Sequence, residues 1–382
     1  MKQNAAQLFS QRFQCAPAAL SAAPGRLEIL GNHTDYNEGF VLSAAVGQTT
    51  DFAMSPAEGT VCTIYEDGQD YTLDLTKLDE KIPGDWRNYL KGLLVELRSR
   101  GIPFGAFNAV LTSDVPLSAG MSSSAALEMA FAFALKKVFG ISLPLPDWAR
   151  VGQAVENKYL GLKTGLLDQF SSLYGRKDSL ILCDFRTVEV LKTVPMPAGW
   201  SLVVANTRVK HNLVESDYNQ RRASCESALH AIQKSHPEVQ ALRDVSSDLL
   251  RSCSGDMSDV DFRRALHVTG ENERVALGVD CLERGDVEAF GKLLFQSHES
   301  SRTLFENSCP ELDVLVEIAR CLPGCAGARL SGGGFGGISI HLVRSDMTDE
   351  YGRRLSQAYR LQTGKEIDVL VCSIGDGARL IG

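Results

Sequence analysis

Apolar residues recur along the first half of the chain with two different spacings. Short runs with alternating or continuous apolar positions are typical of strands, whereas longer runs with apolar residues three and four apart are typical of helices. Their alternation predicts an α+β or α/β arrangement. The strand-like runs are residues 26–30, 40–46 and 109–112, and the helical stretches are residues 125–139 and 148–160.

The second half repeats the two patterns in a different order. A strand-like run, SLVVANT, begins at Ser201, and two long helical segments follow at residues 214–234 and 261–283. Another strand, a glycine cluster and a last strand complete the pattern. A chain of 382 residues exceeds what one hydrophobic core usually serves, so we expect two domains, residues 1–180 and 181–382, with a cleft between them.

Composition narrows the class of protein. Hydrophobic residues make up 44% of the chain and charged residues 23%, as in a globular protein. The net charge of -8 disfavours broad binding to nucleic acid or to an anionic membrane, so a small-molecule ligand is expected. A monomeric protein is also expected. The ten cysteines lack the spacing of a zinc site and are interpreted as free thiols.

No run approaches the roughly 20 apolar residues of a membrane helix, and the first residues lack a signal-peptide core, which favours the cytoplasm.

The segment PLSAGMSSSAALE, residues 116–128, has the features of a phosphate-binding loop. Small side chains let backbone N–H groups approach an anion, and the first turn of the following helix adds unpaired N–H groups and partial positive charge. Serine N-capping of the helix is the alternative, but capping needs one serine, whereas three follow one another here. The candidate ATP-binding residues here are Ser118, Ala119, Gly120, Met121, Ser122, Ser123 and Ser124. A Walker A motif is absent, because no Gly-Lys pair is followed by Ser or Thr: Gly364-Lys365 precedes Glu366, and Gly291-Lys292 precedes Leu293.

Two further segments concentrate polar residues. PGRLEILGNHTDYNEGFVL, residues 24–42, brings Arg26, His33, Thr34 and Asp35 into one strand and turn. Any one of them could be an ordinary turn residue, but a carboxylate and an imidazole together suit a polyol, whose hydroxyls both donate and accept. AVENKYLGLKTGLLDQF, residues 154–170, carries Glu156 and Asp168, for which a solvated helix face and an N-cap are the alternatives.

These motifs resemble those of the GHMP family of small-molecule kinases. Its phosphate loop reads Pro-x-x-x-Gly-Leu-Ser-Ser-Ser-Ala, with Met121 here in place of Leu, and its third motif reads Thr-Gly-Gly-Gly-Phe-Gly-Gly, which SGGGFGG from Ser331 resembles. Residues 24–37 are similar to the galactokinase signature Pro-Gly-Arg-Val-Asn-Leu-Ile-Gly-Glu-His-Thr-Asp-Tyr-Asn. DWRNYLKG from Asp85 and DYNQRR from Asp217 also resemble galactokinase segments.

The resemblance implies a fold and an activity. The expected fold is α+β with two domains: an N-terminal mixed sheet with helices, like ribosomal protein S5, and a C-terminal ferredoxin-like α/β domain. The active site would lie in the cleft between them. The expected reaction transfers the γ-phosphoryl of ATP to the anomeric hydroxyl of α-D-galactose, with Mg²⁺ as cofactor.

The resemblance also assigns roles to residues. Arg26 would stabilise charge on the moving phosphoryl group and Asp168 would face the attacking hydroxyl, as a base or as an orienting group. Ser124 and Glu156 would bind Mg²⁺, and Trp86 would flank adenine. The sugar would contact Asn32, His33, Thr34, Asp35, Gly165, Asp168 and Tyr218.

Two positions depart from the galactokinase signature. Glu28 stands where the signature has Asn, and Asn32 stands where it has the Glu that contacts the far end of the sugar. An amide binds a hydroxyl more weakly than a carboxylate does, so a related sugar such as N-acetylgalactosamine, arabinose or a uronic acid stays an alternative substrate. A galactose and ATP sensor without activity is a further alternative, although Arg26, Ser124, Glu156 and Asp168 are all present.

Overall fold

The larger of two β-sheets is mixed and carries most of the first half of the chain. A computed structural model describes residues 4–116, 120–210 and 214–381. Within them this sheet has the order β12-β1-β2-β5-β3-β4, with β6 paired to β2 and β7 paired to β6. Only β3 and β5 run parallel among these described pairs. The strands are β1 (Ala19–Leu30), β2 (Phe40–Pro56), β3 (Val61–Glu66), β4 (Gln69–Asp74), β5 (Phe107–Ser113), β6 (Ser179–Asp184), β7 (Glu189–Pro195) and β12 (Arg379–Leu380).

Five helices accompany this sheet in the described chain, and α3 is the most deeply buried. Nearly every residue of α3 from Ala125 to Leu135 is apolar and buried, because the helix packs on β1 and β2 on one side and on other helices elsewhere. It ends at Gly140, whose φ of 67° is favourable for glycine at a helix end. The helices are α1 (Ala5–Phe13), α2 (Arg87–Ser99), α3 (Ser123–Phe139), α4 (Leu145–Ala154) and α5 (Leu167–Tyr174).

The second sheet is antiparallel, with the order β11-β8-β10-β9. Helices α9, α10 and α11 pack on it, whereas α8 packs against α6 and against β1, β2 and β7 of the first sheet. Its strands are β8 (Trp200–Lys210), β9 (Cys325–Ser331), β10 (Gly336–Arg344) and β11 (Asp368–Cys372). The helices are α6 (Val214–Gln233), α7 (Ser247–Ser252), α8 (Asp259–Glu283), α9 (Val287–Ser300), α10 (Pro310–Cys321) and α11 (Thr348–Thr363).

The boundary between the two halves differs from the sequence prediction. A division at residues 180 and 181 runs through β6, which pairs with β2, and β7 pairs with β6 in turn. The first sheet therefore continues to Pro195, and the second begins at Trp200. The chain also returns to the first sheet at its end, where Arg379 and Leu380 pair with β1.

A shared hydrophobic cluster joins the two sheets. Leu27 and Leu42 from the first sheet belong to the same buried cluster as Leu202 and Ile340 from the second. This packing brings β1 beside the turn between β9 and β10, and so fixes the walls of the cleft between them.

Two predictions from the sequence, on the cysteines and on membrane helices, can be compared with the structure. All ten cysteines are unpaired, which confirms the interpretation as free thiols. Throughout the described ranges, each helix is too short or too polar to cross a lipid bilayer.

Candidate active site

Strand β1 supplies the first functional side chains because alternate residues of a strand share one face. Arg26 and Glu28 lie two positions apart on β1, both buried, and both side chains reach the cleft. The strand is followed by a tight turn in which His33 has a φ of 61°. Thr34 Oγ1 lies 2.7 Å from the carbonyl oxygen of Gly31 and 2.6 Å from that of Phe40, so this side chain holds the turn closed.

A cavity of about 210 Å³ opens beside β1 and this turn. A water molecule occupies ~30 Å³ in the liquid, so the cavity has a volume suited to a single sugar ring. Seven of its eleven lining residues carry a charged or polar side chain, which suits a ligand with many hydroxyl groups. Its lining residues are Arg26, Glu28, His33, Asp35, Thr164, Gly165, Leu167, Asp168, Tyr218, Gly332 and Gly333.

Arg26 and Asp168 form an ion pair in this wall. Arg26 Nε lies 2.8 Å from Asp168 Oδ1, and another guanidinium nitrogen of Arg26 lies 2.7 Å from the same oxygen. Ser122 Oγ donates a hydrogen bond to Asp168 Oδ2, and Arg26 donates one to the carbonyl of Gly120 at 2.7 Å. The cluster thus ties the sugar cavity to the start of α3.

The start of α3 is the predicted phosphate-binding loop. Gly120 and Ser122 have φ values of 67° and 52°, and α3 begins at Ser123. Met121 turns away from the cleft into the hydrophobic core, and its carbonyl accepts a hydrogen bond from the Arg26 backbone at 3.0 Å. Ser118 and Ala119 lie outside the described residues.

A second cavity, of about 760 Å³, lies on the other side of this loop. Ser123 and Ser124 line it together with Trp86, whose ring meets that of Tyr71 edge-on at 5.4 Å between centroids. Apolar side chains complete a pocket suited to a purine ring: Leu111, Leu127, Leu160 and Leu162. The structure therefore brings Trp86, Ser123 and Ser124 together.

Glu156 lies close to Ser124, one of the residues that line this second cavity. Helix α4 ends at Ala154, and Glu156 sits on a π-helical turn, Val155–Leu160, of a kind often found at functional sites. Ser124 Oγ donates to Glu156 Oε1 at 3.3 Å, and Thr164 Oγ1 donates to Oε2 at 2.6 Å. Burial, and then the charge of Asp168, raise the pKa of Glu156 to about 7.

The oxygen atoms of Ser124 and Glu156 are the kind that Mg²⁺ prefers. Mg²⁺ commonly takes one or two protein ligands and completes its shell with water and phosphate oxygens, so this pair fits a nucleotide-bound ion. Over residues 4–116, 120–210 and 214–381, no group of three or more His, Cys, Asp or Glu side chains is arranged to hold a metal without such help.

Asp35 projects from the turn after β1 towards Gly165. The backbone N–H of Leu167 donates to Asp35 Oδ2 at 3.4 Å, and a Cβ atom at Gly165 would lie only 1.6 Å from that oxygen. Glycine at position 165 therefore makes room for the carboxylate. Burial raises the pKa of Asp35 to about 6, with the charges of Glu28 and Asp168 adding to the effect.

His33 is held as a neutral imidazole against the glycine cluster. Its Nε2 lies 3.2 Å from the carbonyl oxygen of Gly333, and its Nδ1 lies 2.9 Å from the hydroxyl of Tyr36. Burial, followed by the neighbouring His267, lowers the pKa of His33 to about 3. The ring of Tyr218 lies 5.0 Å from that of His33, which brings α6 to the cavity wall as well.

Two predicted sugar ligands are not brought to the cavity. Thr34 faces the backbone of its own turn, and Asn32 is fully buried among Glu28, Gly332 and Asn307. The expectation that their side chains contact the sugar is therefore not supported by their positions. Five lining residues were not among the predicted site residues. Strand alternation from Arg26 would have indicated Glu28, and the glycine cluster would have indicated Gly332 and Gly333, whereas the sequence gives no distinct signal for Thr164 and Leu167.

Comparisons with known proteins agree with this arrangement. The galactokinase galactose-binding signature matches residues 7–56, the GHMP kinases N terminal domain matches 88–176 and the GHMP kinases C terminal domain matches 279–360. Galactokinase from Roseiflexus sp. is 36% identical over 97% of this chain and 94% of its own. That from Actinobacillus pleuropneumoniae is 36% identical over 100% of this chain and 99% of its own.

Solved structures also show similarity to a galactokinase. Lactococcus lactis galactokinase complexed with galactose superposes with a TM-score of 0.92 at 30% identity, covering 98% of each chain. Methanococcus jannaschii mevalonate kinase, with a TM-score of 0.65 and 16% identity over 94% of this chain and 98% of its own, shares the fold alone. The predicted α+β fold is thereby confirmed, and the chain belongs to the galactokinase family of GHMP kinases.

Proposed function

We propose that this protein transfers the γ-phosphoryl group of ATP to the C1 hydroxyl of α-D-galactose, giving galactose 1-phosphate and ADP. The observation that carries the proposal is the Arg26–Asp168 pair, which lines the sugar cavity and is bonded to Ser122 at the start of the phosphate-binding helix. Transfer requires both substrates side by side, and this pair connects the sugar cavity through Ser122 to Ser123 and Ser124, which line the second cavity.

In this proposal the sugar hydroxyl oxygen attacks the γ-phosphorus, and the bond from that phosphorus to the bridging oxygen of ADP breaks. The hydroxyl proton passes to Asp168 or to a phosphate oxygen. The transition state is loose, so positioning and charge stabilisation contribute most. Arg26 stabilises negative charge on the moving group. Asp168 is bonded through both oxygens, to Arg26 and to Ser122, which favours orienting the attacking hydroxyl as its larger role.

The remaining residues bind and orient. Asp35, His33, Gly165 and Tyr218 surround the sugar, while Trp86 and the serines at the start of α3 bind ATP. Ser124 and Glu156 would hold Mg²⁺, which neutralises charge on the nucleotide phosphates when bound. The protein acting as a monomer in the cytoplasm is part of the same proposal.

The test is ATP-dependent phosphorylation of a panel of sugars with Mg²⁺, including galactose, N-acetylgalactosamine, arabinose and a uronic acid. Asp168→Asn should lower kcat by about 100-fold or more, because it removes the carboxylate that orients the attacking hydroxyl and can accept its proton. Asp147→Asn is the matched control, because Asp147 forms an exposed ion pair with Arg150 at 3.1 Å.

Each outcome has a distinct meaning. Fastest turnover of galactose, with loss only in Asp168→Asn, would support both the reaction and the site. Faster turnover of another sugar would contradict the choice of substrate. Binding of ATP and galactose without phosphorylation of any sugar would favour a sensor.

A further inference from the structure

The carboxylate of Glu28 is buried in the wall of the sugar cavity yet is bonded through only one of its oxygens. Arg329, a fully buried guanidinium, donates to Glu28 Oε1 at 2.9 Å, and Asn32 Nδ2 donates to the same oxygen at 2.9 Å. Within the described chain, Oε2 has no hydrogen bond. This oxygen is accessible from the cavity rather than enclosed by protein atoms, so a ligand hydroxyl can donate a hydrogen bond to it.

The amide of Asn32, by contrast, has no capacity left for a ligand. Its nitrogen donates to Glu28 and to the carbonyl of Gly332, both at 2.9 Å. Its oxygen lies 3.0 Å from Asn307 Nδ2 and 3.3 Å from Ser301 Oγ. A primary amide has two N–H groups and two lone pairs, so these four contacts exhaust it.

Positions 28 and 32 therefore work as one unit. Relative to the galactokinase signature, the residue types at the two positions are exchanged, and the two side chains bond to each other. The exchange keeps one carboxylate and one amide but moves the negative charge onto β1, beside Arg26. The cavity thus keeps an acidic side chain although position 32 has lost one.

The backbone of this strand is also fixed. The N–H of Glu28 donates to Ser331 Oγ at 3.0 Å, and Ser331 Oγ lies 3.0 Å from the carbonyl oxygen of Glu28. Arg329 donates a second bond, to the carbonyl of Ile29 at 3.0 Å. The carboxylate is held by its neighbours before a ligand arrives, as a specificity group must be.

We infer that Glu28 is the residue that determines which sugar the cavity accepts, with Oε2 accepting a hydrogen bond from a sugar hydroxyl other than the one that is phosphorylated. Arg329 and Asn32 are positioning residues that act through Glu28. This inference rests on the proposed sugar kinase function and specifies the recognition within that site.

The test combines Glu28→Gln with galactose analogues that each lack one hydroxyl at a position other than C1. In the unaltered protein, one analogue should bind about 10- to 100-fold more weakly than galactose, the range for a hydrogen bond to a charged group. Glu28→Gln should bind galactose itself more weakly by a similar factor. Its affinity for that one analogue should be little lower than that of the unaltered protein. The KM for ATP should not change.

Glu28→Asp provides a variant that keeps the charge beside Arg329. If Glu28 were only the counter-ion of Arg329, this variant would keep the discrimination between galactose and the analogue. We expect it to lose most of that discrimination, because the shorter side chain withdraws Oε2 from the cavity. Urea unfolding of both variants establishes that they are folded.

The inference is overturned if Glu28→Gln lowers the affinity for galactose and for every analogue by the same factor. It is also overturned if Glu28→Asp discriminates between galactose and the analogue as well as the unaltered protein does. Phosphorylation of galactose by the unaltered protein separates this failure from a failure of the proposed function. Unaltered protein that phosphorylates galactose without any coupling to Glu28 contradicts the inference alone.

Discussion

A methyl group at position 165 should displace the Asp35 carboxylate from the wall of the sugar cavity. A Cβ atom added to Gly165 would lie 1.6 Å from Asp35 Oδ2, whereas ordinary contacts begin at 3.4 Å, so the carboxylate must retreat by 1.8 Å, the difference between these distances. Displacing a positioned group by ~1 Å can cost about 100-fold in rate. Gly165→Ala should therefore lower kcat/KM for galactose by about 100-fold or more, or ~2.7 kcal/mol at ~1.36 kcal/mol per tenfold.

The assay is steady-state phosphorylation of galactose at saturating ATP. The KM for ATP should stay close to its original value, because Gly165 does not line the larger cavity. Gly255→Ala is the matched control, since a Cβ atom added there meets nothing within 4 Å. Urea unfolding should show little change for the control.

If Gly165→Ala acts entirely through Asp35, a double-mutant cycle should show that its effect disappears once Asp35 is removed. Asp35→Ala removes the three atoms that the new methyl group would meet, at 1.6, 2.4 and 2.8 Å. In that background Gly165→Ala should change galactose affinity, measured by calorimetry, by no more than about twofold, near the ~0.5 kcal/mol limit of additivity. An equal loss of galactose affinity in the original and the Asp35→Ala backgrounds would refute the role of Asp35. Unchanged activity of Gly165→Ala alone would also refute it.

Two other predictions concern ATP and pH. Trp86→Ala should raise the KM for ATP about tenfold, because stacking of a base on an aromatic ring is worth ~1–3 kcal/mol, while Trp86→Phe should retain most of the affinity; equal loss in galactose affinity measured without ATP would contradict this role. Because the folded-state pKa of Asp35 is raised to about 6, its contribution to stability is lost as the pH rises through that value. Asp35→Asn should therefore gain unfolding free energy relative to the unaltered protein as the pH rises from 3.8 to about 6 in urea titrations, with no further gain above that range. A constant difference over this range would contradict the raised pKa.

The sequence alone determined the elements whose residues interact with near neighbours in the chain. Helix α3 follows from its continuous small and apolar residues, and the hairpin of β9 and β10 follows from the glycines between two apolar runs. The resemblance to known motifs also indicated Arg26 and Asp168, which are 142 positions apart in sequence and form an ion pair in the structure.

Tertiary structure decided which side chains face the sugar cavity. Asn32 and Glu28 both belong to the signature, yet the amide is consumed by Ser301, Asn307 and Gly332, which come from distant parts of the chain. The boundary after Pro195 likewise depends on pairing between β6 and β2. Local patterns carry no information about such partners, because the free energy of each contact depends on groups that only folding brings together.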